Sequence, residues 1–196
     1  MKIRRFQNVS GLAHWEAQPF RPPLSQGPSA RDLALVSHRL LAIEAPGPPD
    51  PDGSFARASA AILSYRAFPG WLVQRHLRRE PLALGDTVEI FFPGWPLPAL
   101  AFGARVTAVI KEQDARGCRS GFTYRTLAGH PENGEETFLV EKDAGTGRVT
   151  ASLQSWSHPG SGLAVAFLPF VRALQIFAMR MALRNLARLA QRGETR

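Results

Sequence analysis

A chain of 196 residues, 44% of them hydrophobic and 20% charged, is enough for one sizeable core and short for two full domains. The lone Cys118 excludes an intramolecular disulfide and a multi-cysteine metal site. No window has the roughly 18 apolar residues of a membrane span, nor the start a leader peptide's apolar run, so a cytoplasmic protein with no metal or cofactor is expected. The formal charge of +8 is unevenly spread, with six arginines against Glu194 between residues 172 and 196 and a nearly neutral body.

In chain order, the four prolines of residues 18–28 read as an extended connection. Ser29, with Asp32 three residues on, starts a predicted helix over 30–43, because Leu33, Val36, Leu40 and Leu41 recur at helical spacing. Ser54 is read as the cap of a second helix with Phe55, Ala58 and Ile62 on one stripe. After Gly85 the pattern changes to short β-branched or aromatic runs bounded by turn formers. These predict strands over 87–92, 102–110, 122–127, 136–141 and 149–156, arranged as an antiparallel meander.

Residues 163–191 predict a long carboxy-terminal helix, with Phe167, Phe170, Leu174, Phe177, Met181, Leu186 and Leu189 on its apolar side. Arg172, Arg180, Arg184, Arg188 and Arg192 recur in multiples of four and form a basic stripe opposite. Solvation, or contact with polyanions or an anionic membrane surface, are the two readings of that stripe, and nucleic acid is the less favoured partner. No segment spans a membrane, and the oligomeric state is left open.

The densest chemistry lies in YRTLAGHPENGEETF, residues 124–138, where one imidazole and three carboxylates fall within seven positions. Gly129, Pro131 and Asn133-Gly134 predict a hairpin-like connection, with Gly134 supplying a positive φ. His130, Glu132, Glu136 and Tyr124 are candidate acid–base groups, against the alternative of an ordinary solvated turn. Period-two alternation puts Phe122, Tyr124 and Thr126 on one face of their strand and Arg125 on the other, and separates Ser155 and Ser157 from Trp156.

These residues resemble a family known as domain of unknown function family 1990, of bacteria and plants. Its signature reads Tyr-Gly-Thr-Leu-Pro-Gly-His-Pro-Glu-x-Gly-Glu-Glu-x-Phe, and Tyr124, Thr126, Leu127, Gly129 to Glu132, Gly134 to Glu136, Phe138, Ser157 and Pro159 match it. Arg125, Ala128, Trp156 and His158 depart from it, so an Arg125 that replaces a site glycine would alter the site. The family is similar to the helix-grip, Bet v 1 and START-like proteins. The resemblance therefore implies an α+β fold whose curved antiparallel sheet wraps a long carboxy-terminal helix, often around an apolar-ligand cavity.

Together these readings divide the chain into a Pro-rich extension with a short helix (residues 1–53) packed on the main domain, a helix-grip domain (54–191) and a basic tail (192–196). The expected activity is binding of a hydrophobic or amphipathic small molecule between sheet and final helix. Phe167, Phe170, Leu174 and Phe177 would form the apolar wall, and Tyr124, Arg125, Thr126, Arg105 and Trp156 the other contacts. The alternative is a cyclase, isomerase or hydrolase type of enzyme using His130 and the nearby carboxylates.

Overall fold

The meander forms because each run of alternating or β-branched residues ends at a turn former, so every strand returns beside its predecessor. The computed structural model of the protein describes residues 9–21, 33–93, 99–130, 132–159 and 168–191. Its elements are α1 (Val9–Glu16), β1 (Leu33–Ile43), α2 (Ser54–Leu63), β2 (Gln74–His76), β3 (Thr87–Phe92), β4 (Leu100–Asp114), β5 (Gly117–Thr126), β6 (Glu132–Asp143), β7 (Arg148–Pro159) and α3 (Leu168–Gln191). One seven-stranded antiparallel sheet runs β1-β7-β6-β5-β4-β3-β2. α2 packs on β5 and β6, α3 on β1 and β7, and the two helices touch, so the curved sheet holds the long final helix in a helix grip.

The core lies between the sheet's inner face and these helices. Phe122 and Phe138 are cross-strand partners with stacked rings 5.1 Å apart, and Ile62, Val88, Val106, Val140 and Leu186 are buried around them. Each such side chain contributes about 1.5–3 kcal/mol by leaving water. α3 meets this core through Ala178, Met179, Ala182, Leu183, Leu186, Ala187 and Ala190, a mostly small-residue face that lets its carboxy-terminal half approach closely. Asn185 Nδ2 fastens it to the turn after α2 by donating to the carbonyls of Arg66 and Ala67, each at 3.0 Å.

Two expectations are corrected. The helix predicted over 30–43 is an edge strand where it is described: residues 33–43 pair antiparallel with β7, so this stretch of the expected extension belongs to the sheet. Ser54 is not the cap of α2. Gly53 holds that position without a side-chain bond, and the Glu44 carboxylate accepts the Phe55 N–H at 2.7 Å instead. That carboxylate suits a helix amino terminus. Its other oxygen lies 2.9 Å from Lys142 Nζ in a buried ion pair joining the end of β1 to β6 and α2. Finally, α1 packs on β3 and β4. The carbonyls of Trp15, Glu16 and Gln18 at and beyond its end accept hydrogen bonds from Arg105 on β4.

Candidate polar site on the inner face

Residues 124–138 fold as the end of β5, a short link and the start of β6. Gly129 takes the positive φ of the link, at +90°. Gly134 is instead a strand residue, and its expected turn role is corrected: a Cβ there would come within 2.4 Å of the Trp156 carbonyl oxygen. The need is therefore close approach between β6 and β7, and Thr126 Oγ1 fastens the same point by accepting the Gly134 N–H at 3.0 Å. Alternation then turns Tyr124 and Thr126, with Glu132, Gly134, Glu136 and Phe138, toward the inside.

Tyr124 and Glu136 are cross-strand partners, and the phenol donates a hydrogen bond to Glu136 Oε2. Ser155, opposite Glu136 on β7, stands beside this carboxyl. The Tyr65 ring stands 6.2 Å from that of Tyr124 and 5.7 Å from that of Phe138, and its backbone takes a left-handed φ of +52° just after α2. A non-glycine residue in that region is held there by its surroundings. Burial, then the Glu136 charge, push both phenols above their ordinary range, and burial raises the Glu136 carboxyl.

A second group lies along β6 toward the link. Gln175 on α3 donates from Nε2 to Glu132 Oε2 at 2.7 Å, while its own Oε1 is buried without a partner. Ser157 Oγ sits beside the same carboxyl without hydrogen-bond geometry and is likewise unpartnered, in a residue 4% exposed. Burial first, and then the Glu136 charge, raise Glu132 to about 7. His130 is pinned by Nδ1 against the Glu132 backbone, 3.1 Å from its N–H, with the Phe102 ring 4.9 Å away. Burial depresses the imidazole to about 4, so it is neutral at pH 7. Although they face inward, Phe68, Phe92, Phe102, His130, Glu132, Glu136 and Gln175 are only half-buried.

Other candidates fall elsewhere. Arg105 and Arg125 are cross-strand partners on the outer face, both over the Phe20 ring. Arg125 pairs with Glu135 at 3.2 Å, so neither it nor the third carboxylate of the segment enters the site. Trp156 is the cross-strand partner of Glu135 and shares that outer face. These three expected ligand contacts are corrected by the strand period. Leu174 and Phe177 are 38% and 46% exposed, with Phe177 against Trp71, so they do not form the expected wall. Phe167 and the side chain of Phe170 lie outside the described residues. Tyr65, Gln175 and the placement of Ser155 and Ser157 beside the carboxyls were not legible as site features, since only the packing of three elements brings them to the carboxylates.

Arg172, Arg180, Arg184 and Arg188 are exposed on α3, and none pairs with a carboxylate among the described residues. No three His, Cys, Asp or Glu side chains there converge as a metal site, and no described helix is long and apolar enough to cross a membrane.

Comparison with known proteins agrees with this fold. A UPF0548 protein of Deinococcus radiodurans is 33% identical over 152 residues, which cover 72% of each chain. Among solved structures, the hypothetical protein jhp0584 from Helicobacter pylori superposes with a TM-score of 0.57 at 15% identity, covering 88% of this chain and 96% of that one. The di-domain ARO/CYC BexL from the BE-7585A biosynthetic pathway gives 0.51 at 16%, covering 83% of this chain and 51% of that one. These likenesses are of fold. The family model described as Domain of unknown function (DUF1990) matches residues 25–185, and the chain belongs to that family.

Proposed function

We propose that the protein binds a hydrophobic or amphipathic small molecule on the inner face of the sheet, beneath the amino-terminal half of α3. The observation that carries this reading is a set of inward-facing groups with unmet capacity. Ser157 Oγ and Gln175 Oε1 are buried without partners among the described residues, and the aromatic and carboxyl groups around them keep contact with solvent. A core would close over such groups or satisfy them. A ligand with a polar end at Glu132 and an apolar body along Phe92 and Phe102, whose rings lie 5.7 Å apart, would do both. Native mass spectrometry of the purified protein tests this. The expected result is a retained molecule that dissociates on collisional activation and is lost in a Ser157→Leu variant that melts normally. A ligand-free protein that no amphipathic compound stabilises would sink the reading.

Two observations favour second readings. With Glu132 at about 7, a carboxyl exchanges protons at neutral pH, which suits acid–base work on a bound substrate. Its test is whether the retained molecule changes its NMR spectrum, or exchanges protons for deuterium in heavy water, with wild type and not with Glu132→Gln. The unpaired arginines of α3 favour contact with polyanions, which salt-dependent binding to anionic vesicles would support.

A further inference from the structure

We infer that the ligand of this inner-face site carries a protonated amine, received by Glu132, Ser157 and Gln175. The inference rests on the reading that the site binds a small molecule, and adds which chemistry the polar end must have. Its first ground is an imbalance of charge. Glu132 and Glu136 face inward from one strand, and their partners are Gln175, Tyr124 and Ser155, all uncharged. No lysine or arginine among the described residues forms an ion pair with either. Two other glutamates are enclosed, and each meets a basic group: Glu44 has Lys142 at 2.9 Å and Glu89 has the His76 imidazole at 2.6 Å, so the fold does supply a basic partner where a carboxylate is structural. An enclosed carboxylate without a cation is costly.

The second ground is the kind of hydrogen bond left unmade. Gln175 has spent an amide N–H on Glu132 and presents its Oε1 as an acceptor, buried and unpartnered. Ser157 Oγ, in a residue 4% exposed, is a second unpartnered acceptor. The Glu132 carboxylate, beside both and already accepting from Gln175 Nε2, supplies the third acceptor. An ammonium has three donors and no acceptor, and these three oxygens complement it. A carboxylate or phosphate head would meet oxygens in place of donors and would add to the charge of Glu132 and Glu136. The titratable groups around Glu132 are Glu136 on its own strand, Tyr124 on β5, Tyr65 after α2 and His130 on the link, where Arg21 acts on His130. His130 is neutral at pH 7 and offers no competing cation.

The test uses the full-length protein in calorimetry and thermal-shift titrations with matched series: decylamine, 1-decanol and decanoate, then phenethylamine, 2-phenylethanol and 3-phenylpropanoate. Overall charge would favour the anions, since the formal charge is +8, so a preference for the amines reports on the site. In at least one series the amine should bind about tenfold or more tightly than the alcohol, with the carboxylate weakest. Binding should release a proton at pH 6, because the cation draws Glu132 into its charged form, and so depend on the buffer's ionisation enthalpy. Glu132→Gln should remove both the amine preference and the proton release. Ser157→Ala, a smaller change, should weaken the amine alone. Alcohol or carboxylate binding equal to or tighter than the amine's would overturn the amine and leave the site reading standing. Failure of all six compounds to bind would take down both.

Discussion

Glu132 and His130 stand two residues apart, and burial drives their proton affinities in opposite directions, because it disfavours whichever form is charged. Glu132 rises from 4.5 to about 7, so its contribution to stability is full below 4.5 and is lost as pH rises through 7. His130 falls from 6.5 to about 4, so its contribution is full above 6.5 and is lost as pH falls through 4. Glu132→Gln keeps an acceptor for Gln175 and cannot ionise. It should match wild type near pH 4 and exceed it at pH 8.5 by up to about 3 kcal/mol in urea melts at fixed pH. Equal stabilities at pH 8.5 would mean that the carboxyl ionises there at no cost. Tyr124→Phe makes a different demand: it strips Glu136 of its phenol donor and leaves a carboxyl short of partners. It should cost about 1–3 kcal/mol in the same melts. The sequence made Tyr124, His130, Glu132 and Glu136 visible as candidates through residue type and spacing. It could not reveal that Glu135 turns away to Arg125, except through the alternation that also turned Arg125 outward.

At the scale of elements, strands β3 to β7 were legible because turn residues punctuate them, and α3 because its apolar residues recur over many turns. β1 was not. Leu33, Val36, Leu40 and Leu41 mimic a helical stripe, whereas the strand leaves Val36 67% exposed at the sheet edge and shifts register between Leu40 and Ala42, which breaks the period-two pattern. The face of α3 was misjudged for a related reason: its aromatic residues advertise burial, but the packed face is built of alanines with Met179, Leu183 and Leu186. Two tests belong here. Gly134→Ala would drive a methyl into the β7 backbone, which cannot move aside as a side chain can. It should cost about 2 kcal/mol or more in a chemical melt, although alanine is no worse than glycine in most strands. In the Glu44–Lys142 pair, Lys142→Met leaves a buried carboxylate alone and should cost about 3–5 kcal/mol. Adding Glu44→Gln, which still accepts the Phe55 N–H, should recover most of that loss in a double-mutant cycle.

Across the whole molecule the charge is sorted. Arg75, Arg78, Arg79, Arg116, Arg119 and Arg125 each face a carboxylate within ion-pair distance, while Arg172, Arg180, Arg184 and Arg188 on α3 face none among the described residues. A paired arginine is cancelled at the distance of an approaching polyanion, whereas an unpaired row along one helix adds up within a Debye length of about 8–10 Å. Equal changes in formal charge should then have unequal effects. Arg180→Gln/Arg184→Gln/Arg188→Gln lowers the formal charge of +8 by three, and so does Arg75→Gln/Arg79→Gln/Arg119→Gln. On a sulfonate cation-exchange column the α3 variant should elute at clearly lower salt than the other. Removing paired arginines also exposes their acids, so a uniformly spread charge would make that second variant shift as much or more. Stability gives the complementary readout: the α3 variant should melt within about 0.5 kcal/mol of wild type, because its exposed side chains make no hydrogen bond or ion pair among the described residues. A larger loss would mean that these arginines hold α3 in place.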